Sequence, residues 1–83
     1  MATTREDIKE WCERGIKEGA THMIVVCDTF DWEDYPVYVK KGEDAKKKYE
    51  QYASGANMQK VMEVYNLTKD LTAQLSKHRN FEF

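Results

Sequence analysis

Proline is nearly missing from this sequence, cysteine is scarce, and no apolar run is long. There is one proline, four glycines and two cysteines in 83 residues. So little proline and glycine excludes collagen-like and low-complexity chains. Two cysteines, each in an apolar setting, cannot build a disulfide scaffold. Cys12 and Cys27 read instead as buried free thiols. The apolar run from Met23 to Cys27 is far too short to span a bilayer. The opening Met-Ala-Thr-Thr-Arg-Glu-Asp has no hydrophobic stretch of the kind that directs secretion. A reduced, cytoplasmic setting is therefore expected. Neither sign of charge dominates: 13 Lys and Arg face 15 Asp and Glu, for a net charge of −2. That excludes general nucleic-acid binding, which runs on phosphate neutralisation. The lysines of 40–41 and 46–48 alternate with Glu43, Asp44 and Glu50, as on a solvated mixed-charge face.

Catalytic patterns are also wanting. No glycine-rich phosphate loop and no serine-centred elbow occurs. Neither His22 nor His78 has a second histidine or a cysteine at zinc-ligand spacing. The acids Asp28, Asp31, Glu33 and Asp34 lack the glycine and the alternation of a calcium loop. Cys27 adjoins Asp28, a neighbour that raises a thiol pKa. No catalytic residue, metal or cofactor is assigned, and the chain reads as non-enzymatic.

What is present is an ordinary folding composition, 41% hydrophobic and 34% charged, sized for one domain over 1–83. Thr3 with Glu6, or Thr4 with Asp7, offers a capping box. Ile8, Trp11, Cys12 and Ile16 follow at helical spacing, and Gly19 suits the helix end. Gly15 lies on the same stripe, where it either permits close approach of a neighbouring backbone or weakens the last turn. Residues 21–27 and 35–39 read as strands forming an antiparallel hairpin, with 31–34 at its turn. On the second strand Tyr35, Val37 and Val39 share one face, and Pro36 and Tyr38 the other. Asp44 then caps a helix over 45–53.

From Asn57 onward the spacing of Val61, Val64, Leu67 or Thr68, Leu71, Leu75 and His78 predicts a long helix over 58–79. The expected fold is a small α+β domain in the order α-β-β-α-α. A helix of that length overshoots a two-stranded hairpin, whose strands cover roughly 17–20 Å. A second copy of the chain is expected to cover the excess, with Val64, Leu71 and Leu75 at the interface. The two phenylalanines of Asn80-Phe81-Glu82-Phe83 are expected to dock on something.

The stretch "CDTFDWEDYPVYV", residues 27–39, gathers acids and aromatics around the hairpin turn. A tryptophan flanked by acids in a turn is rarely core, and Trp32 is the leading functional candidate. Aromatics with a few fixed charges make small-molecule rims and protein interfaces alike. The plainer alternatives are a solvated turn and a Trp32 folded over Tyr35.

The segments "GATHMIVVCDTFDWEDYPVYV" (19–39) and "NMQKVMEVYNL" (57–67) resemble small proteins of bacteriophage and prophage genomes. The resemblance implies an accessory protein acting in the cytoplasm of a bacterial host, where such proteins often counter host defence. Two functions are then expected. In the first, an oligomeric binder sequesters a small nucleotide-like signal, with Trp32, Tyr35 and Tyr38 stacking and Lys40, Lys41 and Arg79 on phosphates. In the second, an inhibitor of anti-defence or anti-CRISPR type offers Asp28, Asp31, Glu33 and Asp34 as a decoy to a basic protein surface.

Overall fold

The computed structural model describes residues 3–54, 58–77 and 80–83. The element order is α1 (Arg5–Lys17), β1 (Ala20–Asp28), β2 (Glu33–Lys40), α2 (Ala45–Ala53), β3 (Gln59–Asn66) and α3 (Leu71–Leu75). The three strands form one antiparallel sheet in the order β2-β1-β3. The result is a small α+β domain, a three-stranded sheet flanked by short helices.

Local chemistry sets the helix ends. Thr4 and Asp7 form a reciprocal capping box at the start of α1, the second of the two boxes expected. Gly19, at φ +80, turns the chain out of α1 and into β1. Asp44 caps α2 by accepting from the amides of Lys46 and Lys47.

The central strand explains the core. Residues 23–27 of β1 are all buried, because the sheet is covered on both faces. On one face Met23, Val25 and Tyr65 pack with Ile8 and Cys12 of α1. On the other, Ile24, Val26, Val39 and Val64 pack with Tyr49 and Tyr52 of α2. Gly15 lets α1 lie close: a Cβ there would stand 2.7 Å from both Leu67 Cδ1 and Tyr38 Cε1. Tyr38 completes the seam by donating its hydroxyl to the Trp11 carbonyl at 2.8 Å.

The long final helix expected from the spacing is replaced. Residues 59–66 form β3, and α3 holds only five residues, Leu71–Leu75. The misleading spacing comes from a bulge. Val25 pairs with Glu63 and Val26 with Val61, so Met62 is an extra residue in β3. The bulge puts Val61 and Val64, three apart, on one sheet face, which imitates a helical stripe. Asn57, His78 and Arg79 lie outside the described residues.

The three residues expected to face a second copy are placed against their own chain. Val64 is fully buried within its own chain, and Leu71 and Leu75 pack on the α1 side of the sheet. The tail also docks at home. Residue 81 bridges Val64 in parallel. The rings of Phe81 and Phe83 meet Tyr49 edge-on, at centroid distances of 6.2 and 5.1 Å.

Candidate functional site

The β1–β2 connection holds the largest exposed side chains. Phe30 is 73% exposed and Trp32 61%, well beyond what their apolar surfaces favour. The turn is tightly made. Asp28 accepts twice, from the Phe30 amide on its carboxylate at 2.8 Å and from the Trp32 amide on its carbonyl. Trp32 takes the left-handed backbone region, at φ +57. A side chain there costs about 1 kcal/mol or more, and glycine or asparagine would fit with less strain. Tryptophan therefore occupies a position that turn geometry gives it no reason to hold.

The start of β3 adds to the same end of the molecule. The Thr29 amide donates to the Met58 carbonyl at 2.8 Å, and the Met58 side chain is exposed. The Lys60 ammonium stands 5.3 Å from the centre of the Trp32 ring, within cation–π range. Phe30, Trp32 and Met58 thus make an apolar tip with one cation against it. Asp31 and Glu33 flank Trp32 in sequence and are exposed. Asp28 is half-buried and engaged in the turn. Asp34 is half-buried beside the Cys27 thiol. Of the four acids expected to form a decoy, Asp31 and Glu33 are thus exposed and Asp28 and Asp34 half-buried.

The residues expected to share a ligand rim are spread out. Tyr35 faces α2, with its hydroxyl against the Gln59 side-chain amide. Tyr38 faces α1 and serves the helix–sheet seam. Lys40 sits at the far end of β2, where its ammonium meets the Glu18 carbonyl at 3.1 Å. Lys41 follows it and is exposed. At ~3.3 Å per strand residue, Trp32 and Lys40 are roughly 25 Å apart. A rim using all of them needs a second chain. Arg79 is outside the described residues.

Neither thiol is set up for attack. Burial, with Glu63 adding to it, pushes the Cys12 thiol up to about 12. Burial and then Asp34 push the Cys27 thiol upward as well. Among the described residues no group of three His, Cys, Asp or Glu is placed to hold a metal ion, and no helix is long and apolar enough to cross a membrane.

Met58 and Lys60 are the tip residues that sequence reasoning missed. The helical spacing of 58–79 hides their place beside the hairpin, which only the pairing of β3 with β1 reveals. Compared with known proteins, the chain matches no family model, no curated protein and no solved structure.

Proposed function

We propose that this chain is a non-enzymatic binding domain whose hairpin tip inserts Phe30 and Trp32 into an apolar pocket on a protein partner. The carrying observation is Trp32 itself, 61% exposed and held in a left-handed turn position that disfavours it. Exposed aromatics are the residues that anchor protein interfaces. Asp31 and Glu33 beside them select a pocket rimmed by lysine or arginine. In the phage-type setting that the resemblance implies, the partner is a bacterial host protein with a basic, nucleic-acid-binding surface, and the tip is its decoy. This reading is favoured over capture of a nucleotide signal because Lys40 and Lys41 lie a strand's length from Trp32.

The test is capture of a host protein by the tagged chain, repeated with Trp32→Ser and with Asp31→Lys/Glu33→Lys. Both variants alter exposed positions and should keep the wild-type circular dichroism spectrum. Capture should fall at least about tenfold in each, since a central aromatic anchor contributes about 2 kcal/mol or more. Raising salt from about 0.1 to 0.5 M should weaken it further. Undiminished capture by both folded variants would remove the tip from the interaction.

A further inference from the structure

The sheet face under α1 is not covered along its whole length. Beyond the first turn of α1 a cleft of about 410 Å³ opens between the helix and the sheet. Ile8, Val25 and Met62 supply apolar lining, and Thr3, Asp34 and Lys60 supply polar groups around it. The pairing register puts Asp34, Cys27 and Lys60 in one row across the three strands. Their side chains therefore rise on the same face, with the carboxylate one strand to one side of the thiol and the ammonium one strand to the other.

Charge decides what such a cleft accepts. Arg5 and Glu63 also line it, but they are bonded to each other at 3.2 Å. Glu63 is further satisfied by the Tyr65 hydroxyl at 2.9 Å and the Asn80 amide at 3.1 Å. That leaves one cation and one anion. Among the described residues Lys60 forms no ion pair, and its ammonium rests against the Trp32 ring. Asp34 has the Cys27 thiol for a neighbour. Neighbouring strands lie about 4.8 Å apart, so the backbones of Asp34 and Lys60 are separated by roughly 10 Å. A molecule bridging the two groups carries a cation and an anion a few bonds apart. That is the scale of a free amino acid or dipeptide. A polyphosphate is disfavoured, with Asp28, Asp31, Glu33 and Asp34 all near and one unpaired lysine to oppose them.

We propose that this cleft binds a small zwitterion with an apolar side chain, of amino-acid or dipeptide size. Its ammonium lies on Asp34, its carboxylate on Lys60, and its side chain on Ile8, Val25 and Met62. The site is separate from the protein-binding tip, although Lys60 touches both.

Calorimetric titration of the intact chain with L-leucine, L-leucyl-L-leucine, N-acetyl-L-leucine and L-leucinamide tests it. Trp32 emission, read in a Trp11→Phe background, reports occupancy beside Lys60. At least one zwitterion should bind about tenfold or more tighter than either singly charged analogue and shift that emission. Lys60→Met should erase the preference for a free carboxylate while keeping that for a free amine. Asp34→Asn should do the reverse. These positions are exposed or half-buried, and the spectrum of each variant checks its fold. Binding by an amino acid alone or by the dipeptide alone fixes the ligand's size and supports the site. No heat from either zwitterion up to about 20 mM overturns it, as does binding that neither substitution changes. Trp32→Ser separates the two proposals, because it weakens partner capture at least about tenfold and leaves calorimetric zwitterion binding in place.

Discussion

Arg5 and Glu63, 58 positions apart in sequence, meet at 3.2 Å and close the fold. The same guanidinium donates to the Tyr65 hydroxyl at 2.8 Å and to the Lys77 carbonyl at 2.7 Å. Burial opposes its charge, but Glu63 and Tyr65 outweigh that and hold it above the ordinary arginine value. Burial and then the Glu63 carboxylate drive the Tyr65 phenol upward, so it remains a donor. Asn80 joins from the tail, its amide on Glu63 and its side-chain nitrogen on the Val64 carbonyl at 2.7 Å. First helix, last strand and tail are tied at one carboxylate.

Removing residues 80–83 should therefore destabilise the whole domain. Deletion strips the Asn80 amide from Glu63, and it strips the bonds between Val64 and both Asn80 and Glu82. Four hydrogen bonds go, one to Glu63 and three with Val64, so at about 1 kcal/mol each the cost is about 4 kcal/mol. A lower urea midpoint checks it. An unchanged midpoint would mean that the tail contributes nothing to the fold.

Gly15→Ala should also destabilise, against the usual rule. Alanine normally exceeds glycine inside a helix by about 1 kcal/mol. Here its Cβ would fall 2.7 Å from the Tyr38 ring and from Leu67. Overpacking of this kind costs about 1–3 kcal/mol. Thermal unfolding should show a lower Tm, and a raised one would show that α1 lies farther from the sheet.

Acid should weaken the fold through His22. Burial, reinforced by Lys69, lowers its pKa from the ordinary 6.5, and the Phe83 backbone opposes this more weakly. The folded ring stays neutral where the unfolded ring takes a proton. Its contribution is complete above the unfolded value and is lost as pH falls from about 6.5 through the depressed folded value. Urea midpoints should decline from pH 7 to pH 5, and His22→Gln should flatten that decline. Equal slopes in the two proteins would contradict it.

Much of the fold was legible where local signals agreed. The Thr4–Asp7 box, the Asp44 cap and the alternation of Tyr35, Pro36, Val37, Tyr38 and Val39 each follow one period or one cap, and each stands in the structure. Gly15 announced a close approach, although the Tyr38 and Leu67 side chains make it rather than a backbone. The failure was residues 59–66. Met62 is a bulge residue, and a bulge is set by pairing with β1 rather than by neighbours in sequence. It spaced Val61 and Val64 like a helical stripe. The tip was half legible. Asp31, Trp32 and Glu33 stood out as a turn, but Met58 and Lys60 reach it only through the third strand.

The central claim is that the hairpin tip is where a partner binds. The most direct measurement is the amide and indole spectrum of isotope-labelled chain, recorded with and without a captured host protein. The account predicts that the Trp32 indole moves most, together with the amides of residues 28–34, Met58 and Lys60. Shifts centred on Lys40 and Lys41 or on α3, with the Trp32 indole unmoved, would contradict it.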